Sequence, residues 1–308
     1  MSIAYPLAIP AALGEAKANL KQFDAIGEVI SPFSGQAQQQ QWQDQHWELD
    51  LEFPEMTWAQ FAAFEAFTGA LHGKLGSFLW GPPLATAPRG IALTAGTPIA
   101  TMVNLTIVSM IRTAGVVTCE CFPPVGGAGF PVGQRVLVNW SDTTFNGTFV
   151  LTFSGIILTG LGPTFQFSWA QPGPNVATED SPALGGTYSG TLTSLMNYAG
   201  AGQLSTSAWL PNKIGIFLPG DFFQLTVPDS TGTPRNRLYQ YVGQSPASSD
   251  GGGNAVLDIF PALREAPAGV PLVLTNPQGE FRLADNRREA AAQSTKTFML
   301  QLKCREAI

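Results

Sequence analysis

The side chains best suited to acid–base, nucleophilic or metal chemistry are few in this 308-residue chain: His46, His72, Cys119, Cys121, Cys304 and 22 carboxylates. A metal centre draws on His and Cys at short, fixed spacings. Neither an HExxH string, a His-x-His string nor a Cys/His cluster occurs. Cys119 and Cys121 stand two apart, which on a strand puts both on one face and in poor geometry to bridge each other. With Cys304 they read as buried small hydrophobes in a reducing compartment. His46 and Asp44 share one face of a strand, but no Ser or Cys nucleophile motif lies near to complete a catalytic set. Glu179 and Asp180 are acids of the kind that cleave sugars when held at the right separation. Adjacent in a Pro/Gly-rich turn, they read as solvated, and the oxygen-rich spacing of a calcium loop is missing. "SDGGGN", residues 249–254, lacks the Lys and the strand-to-helix context of a phosphate cradle. No catalytic, cofactor-binding or metal-ligating residue is assigned, and the chain is read as a non-enzyme.

Two sets of residues remain as candidates for binding. Trp140 and Trp169 could stack on sugar faces, although Trp side chains more often fill cores. Near the C-terminal end, Arg282, Arg287, Arg288 and Lys296 cluster with Asp285 and Glu289 interleaved. Inter-subunit salt bridges and a solvated, self-compensating loop both fit that pattern.

The bulk numbers narrow the partners. The net charge of −6 and the absence of any polybasic run argue against a nucleic-acid binder. The most apolar stretch, "FVLTFSGIILTGLGPTF", is broken by Ser, Thr, Gly and Pro, well short of the ~18 consecutive apolar residues of a spanning helix. The first residues, "MSIAYPLAIPAALGEAK", carry no early Lys or Arg and two prolines, a poor signal peptide. Only 12% of residues are charged, about half the usual share. A surface so poor in charge is tolerable where copies or partners cover it.

The elements that must position these side chains are mostly strands. With 33 Gly and 24 Pro spread over the chain, the texture is that of short strands joined by turns. In "QAQQQQWQDQHWELDLEF", Trp47, Leu49, Leu51 and Phe53 alternate with His46, Glu48, Asp50 and Glu52, which predicts a half-buried strand with His46 on its polar side. "EMTWAQFAAFEAFTGALHGK" predicts the one helix. Thr57 and Gln60 form its capping box, Trp58, Phe61, Phe64, Phe67 and Leu71 its core stripe, and Gly73 its stop. "GSFLWGPP" follows as a strand. From 101 to 190 the only charges are Arg112, Arg135, Glu120, Asp142, Glu179 and Asp180, and the strands "GVVTCECF", "QRVLVNW", "GTFVLTF" and "TFQFSWA" predict a separate all-β unit. "GDFFQLTV", "RLYQYVG", "NAVLDIF" and "TFMLQLKC" resume the first texture, with "SSDGGGNA" predicted as a hairpin turn.

Several strings resemble the distal tail proteins at the tail tip of long-tailed bacteriophages. They are "WELDLEFPEMTWAQFAAFEAFTGALHGKLGSFLWGPP", "APRG", "LPGDFFQLTV", "RLYQYVG" and "DIFPALREAPAGVPLVLTNPQGEFRLADN", a little over a third of the chain. Members pass from the "PRG" region to a "GAGQ" stretch after few residues, whereas here "AGAGQLSTS" comes only at 199–207. About 100 residues are thus expected as an insert, itself similar to a small β-module of phage tail and fibre proteins in which the "FNGTF" turn joins two strands.

The expected fold class is mainly β: a sandwich or barrel core with one amphipathic helix, split over 1–91 and 196–308, and an inserted β-domain over 92–195. The resemblance implies a structural virion protein forming a ring, six copies in many siphophages, between the tail tube protein and the tip or baseplate hub. It implies no cofactor, assembly in the host cytoplasm, and no membrane insertion. The alternative is a tail adhesin that binds a host surface glycan through the insert.

Overall fold

A computed structural model describes residues 3–10, 14–30, 35–42, 44–100, 104–122, 135–159, 162–194, 197, 200–286, 290–292 and 297–307. The fold is mainly β, with one α-helix among the described residues.

The first sheet runs, in spatial order, through Leu7–Ala8, Phe78–Trp80, Gly279–Leu283, Phe298–Glu306, His46–Glu52 and Lys17–Phe23, with Ala290–Ala292 paired beside Phe298–Glu306. Its central register sets Leu302 opposite Leu51 and Cys304 opposite Leu49, so the apolar members of two period-two strands share one face. The helix Trp58–Ala70 covers that face, with Phe64 against Phe53 and Phe67 against Phe78 at ring-centroid distances of 4.5 and 5.7 Å. Gln60 Oε1 accepts from the Thr57 N–H and hydroxyl at 3.0 Å, the side-chain half of the expected box. The chain leaves the helix through His72 and Gly73, both left-handed (φ +49° and +70°).

Two expectations fail here. Trp58 is exposed, its ring beside those of Phe61 and Phe298, while Phe61, in the same turn, takes the buried place against Phe298. His46 is buried rather than solvent-facing. Phe23 of the adjacent strand covers its ring at 4.5 Å, and its Nδ1 lies 2.9 Å from the Asp44 carbonyl.

A closed six-stranded barrel follows the order Gln203–Trp209, Ala255–Phe260, Pro234–Tyr241, Phe222–Pro228, Val270–Val273, Gly96–Ala100. Leu204, Phe217, Phe223, Leu225, Tyr239 and Leu257 fill its interior. Gly96–Ala100 lies within the segment expected as insert, yet it closes the barrel against Gln203–Trp209 and Val270–Val273. The drop in charge after residue 90 therefore begins before the strand pairing changes. Residues 242–254 form a wide connection rather than a tight hairpin, since Tyr241 pairs with Ile259. Within it Asp250 accepts from the Gly252 and Asn254 N–H groups at 2.8 Å.

Among the described residues, strands between 104 and 194 pair only with one another. The order is Gly147–Val150, Arg135–Trp140, Gly190–Ser194, Asn104–Thr113, Val116–Cys121, Gly162–Ala170, Phe153–Thr159, with Val176–Asp180 also on Asn104–Thr113. "DTTFNGTFVLTF" is a short turn, Thr143–Phe145, and then two strands broken at Leu151–Thr152. Asp142 caps the turn by accepting from the Thr144 N–H at 2.8 Å, and Asn146 Oδ1 accepts from the Trp140 N–H at 2.6 Å. Phe145 is thereby driven into the core, with the Arg112 guanidinium 4.9 Å from its ring centre. Gly147 is required at φ +151°, and the Phe149 ring fills the space a side chain there would take.

Candidate interaction surfaces

The strings that carry the family resemblance converge on the seam between the first sheet and the barrel. In "PRG" and "PGD", 132 residues apart, Arg89 Nε donates to Asp221 Oδ1 at 2.8 Å. Asp221 Oδ2 accepts from the backbone N–H groups of Leu218 at 2.8 Å, Arg89 at 3.1 Å and Gly90 at 3.3 Å. Arg89 Nη2 also donates to the Pro219 carbonyl. A side chain at Gly90 would collide with the Gly215 and Ile216 carbonyls, and one at Gly81 with the Pro277 carbonyl. The glycines of "PRG" and "WGPP" thus permit close backbone approach. Trp47 Nε1 donates to the Leu238 carbonyl at 2.9 Å, stitching "WELDLEF" to "RLYQYVG".

The same seam opens into a cleft of about 560 Å³ lined by Arg235, Arg237, Arg264 and Arg282 with Asp229, Glu265 and Glu280. Arg235 bridges Asp229 at 3.0 Å and Glu280 at 2.8 Å, and Arg237 pairs with Glu265 at 2.8 Å. Burial disfavours the charge on Arg237, but Glu265 and Glu306 outweigh it and its pKa ends above the usual value. Arg282 shifts the other way, lowered by burial and by Arg305, Arg237 and Arg235 around it, which reports a locally positive field. Behind the cleft, burial pushes the Glu306 carboxyl pKa up against the pull of Arg264, 4.0 Å away, and of Arg237.

Of the basic cluster expected from the sequence, Arg282 therefore lies in a built ionic cleft, while Arg287, Arg288 and Lys296 lie outside the described residues. The two candidate stacking residues do not reach solvent. Trp140 is 2% exposed and Trp169 0%, so neither offers a face to a sugar. Trp140 donates to Glu179 Oε2 at 2.8 Å and stacks on Tyr188, and Trp169 donates to Gln171 at 3.3 Å and stacks on Phe149. Glu179 is itself drawn into this packing, its pKa raised first by burial and then by Asp142, while Thr144 holds the Asp142 pKa down. The three cysteines are free and buried. Burial raises the Cys119 thiol well above its usual value and pushes that of Cys304 up to about 12, which leaves both unreactive.

Sequence reading missed one surface. Ile26–Ile30 and Ala37–Gln41 form a two-stranded hairpin that joins no larger sheet among the described residues. Ile26, Val29 and Ile30 on it are 57%, 71% and 61% exposed, and Trp42 beside it is exposed as well. A lone two-stranded hairpin is marginal in water. Its apolar side chains lack the core they would need.

Comparison of the whole chain with protein-family models and with curated proteins finds no match.

Proposed function

We propose that the chain is a structural component of a phage tail tip, closing with its own copies into a ring between tail tube and hub. The observation that carries this reading is the apolar hairpin at 26–41, which has no counterpart of its own to pack on among the described residues. In a ring the same patch meets a different patch on the next copy, and head-to-tail contacts of this kind close when the rotation allows. The converging motif residues support the reading too, since Arg89, Asp221, Gly81 and Gly90 serve close packing of sheet on barrel. The 104–194 unit is then an addition carried on that body. The adhesin alternative loses its stacking contacts, because Trp140 and Trp169 belong to the core of that unit.

Sedimentation velocity across a concentration series tests the proposal. Wild type is expected to form a discrete oligomer, and a Val29→Ser, Ile30→Ser double variant to stay monomeric with unchanged melting. A wild type that stays monomeric at every concentration would refute ring formation through this surface.

A further inference from the structure

The strand Lys17–Phe23 is an edge of the first sheet and connects two apolar surfaces. Toward its start it borders a groove of about 510 Å³, whose lining includes Ala18, Leu20, Trp80, Pro82, Leu84 and Ala85. Leu84 stands fully exposed on that groove. The other end of the strand leads through Asp24 and Ala25 into the hairpin Ile26–Ile30 and Ala37–Gln41. From Lys17 to Phe23 the strand covers about 20 Å at ~3.4 Å per residue, so groove and hairpin lie toward opposite ends. No described residue of the hairpin lines the groove or belongs to any of the three cores. The hairpin's two faces differ. Trp42 fills the space a side chain on Gly27 would take, and so covers the Gly27 face. Ile26, Glu28 and Ile30 alternate onto the other face, opposite Gln41, Gln39 and Ala37, and all three are exposed. That face is an aliphatic strip around one carboxylate, the only charge between residues 25 and 43. The groove presents the complementary sign. Lys17 and Arg89 reach solvent on it with side chains 66% and 62% exposed. Its carboxylates sit lower: Asp221 is buried, and Glu15, half-buried, accepts from Trp80 Nε1 at 2.9 Å. Lys17 lies 3.5 Å from Glu52 with both side chains exposed, a pair that contributes little and is readily shared with a second carboxylate.

We propose that this groove receives the hairpin of a second copy of the chain, with Ile26 and Ile30 packing on Leu20, Leu84 and Ala85 and Glu28 against Lys17. The inference rests on the ring reading and names the surface that completes it. Two apolar surfaces that each lack a core acquire one on contact. Because they lie toward opposite ends of one strand, the contact is head-to-tail, the kind that propagates from copy to copy until the rotation closes. The single carboxylate of the hairpin fixes the register, since it meets cations at the groove and not another carboxylate in solvent.

Sedimentation velocity of the full chain over a concentration series, with circular dichroism to confirm folding, tests the groove separately from the ring. Ala85→Arg, which fills the groove, should raise the concentration of half-assembly roughly tenfold or more with melting unchanged, a difference of about 1.4 kcal/mol. Leu84→Ser, at a side chain fully exposed in the single copy, gives a smaller loss and takes its place should Ala85→Arg fail to fold. Glu28→Lys should weaken assembly as well, and Lys17→Glu added in the same chain should recover most of that loss. Groove variants that assemble like wild type, while the Val29→Ser, Ile30→Ser variant is monomeric, overturn the groove and leave the ring reading standing. A charge-swapped chain that recovers nothing also overturns the groove. A wild type that is monomeric at every concentration overturns both.

Discussion

Replacing Asp221 by Ala should be far more damaging than replacing its ion-pair partner Arg89. The reason lies in an asymmetry of exposure: the Asp221 side chain is 1% exposed and that of Arg89 62%. A solvent-exposed guanidinium contributes roughly 0–1 kcal/mol to such a pair. Asp221, by contrast, satisfies three backbone N–H groups as well, those of Leu218, Arg89 and Gly90. Hydrogen bonds to a charged acceptor contribute about 1.5–3 kcal/mol each, and the 3.3 Å contact to Gly90 sits at the weak end. Water entering the vacated site recovers part of that, so Asp221→Ala is expected to destabilise by about 3–5 kcal/mol. Arg89→Ala should lose about 1 kcal/mol or less. In a chain of this size the first loss lowers the melting temperature by on the order of 10 °C. Urea denaturation of both variants, with melting followed by circular dichroism, measures the difference. Equal losses from the two substitutions would show that the ion pair, and not the backbone clamp, holds the seam.

Other expectations follow from the packing and the titrations. Gly81→Ala forces a methyl into the Pro277 carbonyl and should destabilise by roughly 1–3 kcal/mol, read as a lower denaturation midpoint at unchanged slope. A thiol reagent such as Ellman's should label none of Cys119, Cys121 and Cys304 in the native chain and all three after denaturation, given their burial; rapid native labelling would contradict it. The Glu306 carboxyl is raised above the ordinary 4.5 in the folded chain, so the folded state there binds more protons than the unfolded one. Its contribution to stability is then greatest below the ordinary value and declines as pH rises through the raised one. Denaturation of wild type against Glu306→Gln across that window should show the decline in wild type alone, and a difference with the opposite slope would refute the assignment.

Much of the fold was legible where one face of an element meets water. Trp47, Leu49, Leu51 and Phe53 mark their strand because Glu48, Asp50 and Glu52 alternate with them, and the helix stripe Phe61, Phe64, Phe67 is equally plain. The barrel strand Gly96–Ala100, "GTPIA", has no such alternation, and its membership depends on partners more than a hundred residues away. The strand Ala37–Gln41 is nearly all Gln, so the pairing that completes the apolar hairpin leaves no pattern to read. The burial of Trp140 and Trp169, by contrast, could have been inferred from parity. Val136, Val138 and Trp140 share one strand face, as do Phe165, Phe167 and Trp169, and an all-apolar face points inward. The meeting of Arg89 with Asp221 and of Arg237 with Glu265 was not legible, since chain spacing says nothing about which turn folds onto which.

The claim that this chain works by assembling with its own copies is tested most directly by electron cryomicroscopy of the particle that carries it. A closed ring is expected, in which Ile26, Val29 and Ile30 of each copy are covered by the next. A lone subunit with that hairpin bare to solvent would contradict it.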